Sequence, residues 1–161
     1  MASWKAIQAA EPAFTSRVQE LFDAGRHKTI ATVRKDGAPR ISGIEATFVL
    51  GELWFGSILH AVKALDLSRD PRFALHGPTG EVDPATWRGD AKISGRVEEI
   101  TDPTRVAEVT AAEGGEQPPE PSHLYRAEIS EVVLTQLGEP ADHLVIEAWS
   151  ERHGLRRIER Q

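Results

Sequence analysis

The segment Gly56-Ser57-Ile58-Leu59-His60-Ala61-Val62-Lys63 places a flexible glycine, a hydroxyl and one lysine close together. Glu52-Leu53-Trp54-Phe55 before it reads as a strand. Asp70-Pro71 after it stops a helix, and Phe73-Ala74-Leu75 starts another strand. A strand end, a serine hydroxyl and a lysine further along a short helix have the chemistry to hold a phosphate. Exposed backbone N–H groups and Ser57 supply hydrogen bonds, and Lys63 supplies charge. The same residues also suit a connecting helix with one surface lysine, and spacing alone does not separate the two.

Other chemistries lack their residues. No G-x-G-x-x-G follows the first strand and no G-x-x-x-x-G-K-[ST] occurs, which removes the usual dinucleotide and NTPase phosphate loops. His27, His60, His76, His123, His143 and His153 are scattered without an H-E-x-x-H or H-x-H pair, so no metal site is expected. Ser57 has no obvious histidine partner and no G-x-S-x-G elbow occurs, which disfavours a serine hydrolase. Glu45 reads as a solvent-facing strand residue. His76, ending the fourth strand, is the sole candidate acid or base, and no catalytic residue is assigned.

The chain has 161 residues, enough for one domain with a substantial core. Hydrophobic residues make up 40% and charged residues 27%, the balance of a globular protein. A net charge of −6 argues against a nonspecific nucleic-acid partner. No apolar run is long enough to span a membrane, and the N-terminus lacks a secretory h-region, so the cytoplasm is the expected compartment. Cysteine is absent, which removes disulfides, thiolate catalysis and iron–sulfur clusters. Arginine outnumbers lysine, 14 to 5, as in proteins from GC-rich genomes.

Around the phosphate-type segment the chain predicts a β-meander. Pro12 to Ala24 reads as a helix, with Phe14, Val18, Leu21 and Phe22 at helical spacing. Thr29 to Arg34 is a β-branched strand, Asp36-Gly37 a tight turn, Arg40 to Leu50 the returning strand and Leu53 to Ser57 the third. Ile44, Ala46, Phe48 and Leu50 share one face of the second strand. A helix from His60 to Arg69 is expected to bury Ala61, Val62 and Leu65. Arg72 to His76 is the fourth strand, and Gly77 to Thr86 a loop. Ala91, Ile93, Gly95 and Val97 alternate with polar residues in the clearest strand of the chain. Asp102-Pro103 starts a helix whose buried side carries Val106 and Val109. Gly114 to Pro121 is expected to be an exposed, mobile loop. Leu124 to Leu137 forms a long or bent strand, Leu144 to Trp149 the last strand, and residues 151–161 a charged tail. Six or seven strands and three helices result. Short connections require antiparallel pairing, so the fold class is mainly β: a small β-barrel with peripheral helices.

In order and wording these segments resemble the flavin-binding split-barrel proteins related to pyridoxamine 5′-phosphate oxidase. The resemblance runs from about Arg26 to Trp149. It rests on Asp36-Gly37-Ala38-Pro39-Arg40, Gly51-Glu52-Leu53-Trp54-Phe55-Gly56-Ser57, Lys63-Ala64-x-x-Leu67-x-x-Asp70-Pro71-Arg72 and Lys92-Ile93-Ser94-Gly95-Arg96-Val97-Glu98. It implies one split β-barrel domain of antiparallel Greek-key type over residues 1–161, forming a homodimer with the cofactor in a cleft between subunits. It implies FMN as cofactor, with coenzyme F420 as the alternative that a GC-rich origin favours, and a small-molecule redox substrate.

The same resemblance implies the cofactor-binding residues. Ser57 and Lys63 match the family's hydroxyl and phosphate-binding lysine, with Phe55 and Gly56 beside them. Val62 stands where the oxidases proper carry arginine. Arg40, with Ser42 and Gly43, lies within one residue of the family's strand-two arginine and is a candidate to compensate. Asp90 replaces a glutamine that reaches the flavin from the second subunit. Trp149 matches a tryptophan bordering the ring, and equally suits a core position. The oxidases' terminal arginine-x-histidine pair is missing, which argues against vitamin B6 synthesis; Arg156 and Arg160 remain to face a phosphate or carboxylate. Two functions follow: an oxidoreductase, or a non-catalytic module binding a flavin or another planar ligand.

Overall fold

The computed structural model describes residues 1–79, 83, 85–115 and 121–161. In chain order they form α1 (Trp4–Ala10), α2 (Pro12–Asp23), β1 (His27–Val33), β2 (Pro39–Val49), β3 (Glu52–Ile58), α3 (Val62–Arg69), β4 (Arg72–His76), β5 (Asp90–Glu99), α4 (Pro103–Ala112), β6 (Ser122–Leu137), β7 (Leu144–Ser150) and β8 (Gly154–Arg160).

The strands make one antiparallel sheet in the order β3-β2-β1-β4-β5-β6-β7-β8, and β3 also pairs with β6. That extra pairing closes a six-stranded barrel from β1 to β6 and leaves β7 and β8 as a hairpin extending from β6. β4 returns to lie beside β1 after the β1-β2-β3 meander, the Greek-key arrangement expected from the sequence. The β3–β4 connection must therefore cross the ends of β2 and β1, and α3 is the element that makes the crossing.

The barrel is filled by Ile30, Ile44, Leu53, Phe55, Phe73, Leu75, Ile93, Tyr125, Ile129, Val132 and Leu134, and α1 and α2 close one side with Trp4, Ile7, Phe14, Val18 and Phe22. Burying each large side chain contributes roughly 1.5–3 kcal/mol. Gly37, at φ 85°, supplies the left-handed turn between β1 and β2. Gly95 is required where β5 bulges against β6, because a Cβ there would lie 2.0 Å from the Glu128 carbonyl oxygen.

Several expectations need correction. Eight strands and four helices form among the described residues. α1 was not anticipated; Ser3 caps it by accepting from the Ala6 N–H at 3.2 Å. Leu50 leaves the barrel at φ 53° in the β2–β3 turn, half exposed. α3 starts at Val62 and buries Ala64, Asp66 and Leu67, while Val62 and Leu65 face out. The charged tail is largely the strand β8, which pairs with β7 along its whole length. The middle of the Gly77–Thr86 loop and most of the Gly114–Pro121 loop lie outside the described residues. No described helix is long and apolar enough to cross a membrane.

Candidate functional site

Inward alternation along β3 sets the position of the hydroxyl. Leu53, Phe55 and Ser57 point to the interior, and Ser57 is 6% exposed. Its Oγ reaches only the Ile58 carbonyl, at 3.5 Å, a contact at the limit of hydrogen bonding. Gly56 carries no side chain where one would press on β6, since a Cβ would stand 3.3 Å from the His123 carbonyl oxygen. The chain then turns at His60, held at φ 64°. Ala61 occupies the N-cap of α3 and offers no side-chain acceptor. The first N–H groups of α3 thus lack the usual cap, at the positive end of the helix dipole.

Two cations flank this corner. Lys63 Nζ donates to the Gly43 carbonyl at 2.9 Å, and no carboxylate partners it among the described residues. β2 and β3 pair from Ala46↔Phe55 to Val49↔Glu52, and α3 is joined to the start of β2 by the Lys63–Gly43 and Arg40–Asp66 bonds. Space around Gly43 is open. Arg40 donates from Nε to Asp66 Oδ2 at 2.6 Å, which leaves its two terminal nitrogens without partners among the described residues. Asp66 is buried and also accepts from Arg69 at 2.9 Å and Thr32 Oγ1 at 2.9 Å. Burial alone would raise the Asp66 pKa; the hydrogen bonds from Arg40, Arg69 and Thr32 outweigh it and hold the carboxyl below its ordinary value. Ser42, half-buried, sits opposite Ile30 between these groups and the core.

Arg40, Ser42, Gly43, Gly56, Ser57 and Lys63 therefore converge on one barrel end. Phe55 lies beneath, packed edge-on against Phe73 at 5.3 Å. The remaining candidates lie elsewhere. Gly43, Thr29, His76, Lys92, Val133, Ala148 and Arg156 form one continuous row across β2, β1, β4, β5, β6, β7 and β8. Gly43 and Arg156 end that row, one on the barrel strand β2 and the other on the outlying hairpin strand β8. Asp90 and Arg160 lie on the same outer face as Arg156, in register with Thr135 and Leu144. Asp90 stands 3.9 Å from His76 Nε2. Trp149 projects to the opposite, inner face and joins the core at 7% exposure.

One residue beside the corner escapes sequence reading. His123 is directly opposite Ser57, and its Nδ1 meets Glu99 Oε1 at 2.6 Å. Only strand register brings these residues together. A hollow of about 790 Å³, lined by Arg17, Leu21, Trp87 and Gln136, opens near the other end of β6. It shares no residue with the corner.

A family model described as pyridoxamine 5′-phosphate oxidase matches residues 14–136. No curated protein sequence matches. Among solved structures, the chain is similar to a pyridoxamine 5′-phosphate oxidase-related, FMN-binding protein from Nostoc punctiforme, at 18% identity and TM-score 0.62, covering 100% of this chain and 98% of that one. It is similar to an F420 reductase at 20% identity and TM-score 0.52, covering 71% and 94%. It is also similar to HutZ, a heme storage protein from Vibrio cholerae, at 16% identity and TM-score 0.52, covering 75% and 90%. At these identities the likeness shows a shared fold.

Proposed function

This chain belongs to the pyridoxamine 5′-phosphate oxidase family, and from that premise we propose that it is a homodimeric oxidoreductase holding a flavin-type cofactor between its subunits. The observation that carries the proposal is the β3–α3 corner. An uncapped helix start, the Ser57 hydroxyl, the Lys63 ammonium and the terminal nitrogens of Arg40 form a donor set in which Asp66 is bound to Arg40, and Lys63 has no carboxylate partner among the described residues. That set fits the anionic phosphate tail of such a cofactor. Lys63 and Arg40 supply charge, Ser57 donates a hydrogen bond, and Gly43 lets a planar group approach the strand.

When bound, the cofactor supplies the hydride chemistry. FMN is the first assignment and coenzyme F420 the alternative; the FMN-binding and F420 reductase relatives in fold support the class. A dimeric site is in keeping with the placement of the candidates on different strands. Asp90, Arg156 and Arg160 lie around the barrel from Lys63, so a second subunit brings them to the same cofactor, where they face a small-molecule redox substrate. Trp149 has a packing role.

Mass spectrometry of ligand released from the purified protein, followed by titration with FMN and with F420, tests this reading. Tight binding of either, with reduction by NADPH or reduced F420 and reoxidation by an acceptor, supports it. Failure of both cofactors to bind overturns it. One observation favours a second reading, a non-catalytic carrier. Along the outer row Ile41, Ala31, Ala74 and Ser94 no side chain is an acid or base, and the first carboxylate on it is Glu131 of β6. The likeness to a heme storage protein is in keeping with it. Binding without turnover across a broad acceptor panel would select that reading.

A further inference from the structure

Directly opposed residues on antiparallel strands leave the sheet on the same face, with Cβ atoms about 4.5–5.5 Å apart. Ser57 and His123 are such a pair. Glu99 fixes the imidazole: a carboxylate only accepts, so His123 Nδ1–H donates to Glu99 Oε1 at 2.6 Å and Nε2 is left on the other side of the ring. Tyr125 fixes the ring plane by stacking at 5.8 Å and 12°. The His123 side chain keeps 20% of its surface exposed, so a ligand can reach it.

We propose that His123 is a further residue of the phosphate site, a pH-gated cation that supplies charge where Val62 supplies none. The inference rests on the flavin-type reading of the corner. A neutral imidazole with its Nδ1 proton committed to Glu99 presents Nε2 as an acceptor, which repels a phosphate oxygen. Protonation turns Nε2–H into a charged donor beside the Ser57 hydroxyl.

The groups around the ring suit this role. β5 contributes Glu99, which stabilises the imidazolium. β6 contributes Tyr125, whose phenol is pushed up to about 12 by burial and by Glu99, so it stays neutral. β3 contributes only Ser57. The corner adds His60, and α3 adds Lys63, already turned to Gly43. A phosphate monoester approaches two negative charges at neutral pH. It is therefore the ligand class whose affinity an additional switchable cation changes most.

The test compares the full-length protein with His123→Gln, using FMN and riboflavin from pH 5.5 to 8.5. The wild-type-to-variant ratio of FMN affinities should rise roughly tenfold from high to low pH, the effect of one charge-assisted hydrogen bond, while the riboflavin ratio stays flat. Taking the ratio cancels the part of the phosphate titration that both proteins share. Glu99→Gln should reduce the pH-dependent gain. In parallel, inorganic phosphate should shift the His123 ring signals in NMR, assigned by their loss in His123→Gln. A flat FMN ratio, or unmoved His123 signals, overturns the inference. If neither flavin binds while phosphate moves His123, the flavin reading falls and the anion site stands.

Discussion

Arg40 Nε and Asp66 Oδ2 lie 2.6 Å apart, and with the Lys63–Gly43 bond this contact ties β2 to α3. Thr32 on β1 and Arg69 on α3 bond the same carboxylate. Arg69 also donates to the Val33 carbonyl at 2.8 Å, so both ends of the helix crossing are fastened to the barrel. The carboxylate thus orients a guanidinium toward the corner and seats the helix whose start forms it.

Asp66→Ala should destabilise the fold by about 3 kcal/mol, the lower end of the cost of breaking a buried pair, because Arg69 is partly exposed and relaxes into solvent. The urea midpoint of the apoprotein measures it. The pH dependence has a definite sign. The Asp66 pKa is lowered in the folded state, so its contribution is complete above the unfolded carboxyl value of about 3.9. It is lost as pH falls through the lower folded value. The stability gap between the protein and Asp66→Asn should therefore be constant above about pH 5 and narrow on acidification.

Lys63→Ala should weaken FMN roughly tenfold to a hundredfold, since it removes a charged contact to phosphate. Riboflavin, lacking the phosphate, should bind both forms alike. Stability should change little, because Lys63 makes only one bond, to the Gly43 carbonyl. Equal losses for both flavins would place the lysine outside the phosphate site. Isothermal titration of both ligands decides.

Much of this arrangement was legible because period-two alternation survives wherever one strand face is buried. Ala91, Ile93 and Gly95 are buried as the pattern requires, and the Asp36-Gly37 turn fixes the first hairpin. The pattern misleads at α3. Hydrophobicity selects Val62 and Leu65 for the interior, yet Asp66 is buried there, because Arg40 and Thr32, distant in sequence, satisfy its charge. β8 was hidden for the converse reason. Leu155 and Ile158 fall on opposite faces among arginines of an edge strand, where charge guards against further pairing, and no apolar face announces a strand. Ser57 and His123 meet only through β3–β6 pairing, which nothing local encodes.

Gly95→Ala should cost about 1–3 kcal/mol or more, because the added methyl meets backbone that no rotamer can move. The β5–β6 register shift lies at Ser94/Gly95, so relief of that clash would distort the strand pair carrying Glu99. Thermal unfolding should show the loss. Gly43→Ala, with open space around the added carbon, should leave apoprotein stability nearly unchanged and weaken a planar ligand packed on the strand.

Trp149 separates packing from binding. Its ring lies on the inner face of β7, opposite Leu155 on β8 and Val132 on β6, in the same cluster as Ile93 and Leu134. Truncation to alanine should cost about 3–5 kcal/mol, the range for large aromatic side chains in cores. Trp149→Phe retains most of the buried volume and should cost less. Because the side chain faces inward, Trp149→Phe should also leave flavin affinity within about twofold, a margin of under 0.5 kcal/mol. Denaturant unfolding and flavin titration on the same preparation check both. A large affinity loss at unchanged stability would show that the tryptophan touches the cofactor from across the dimer.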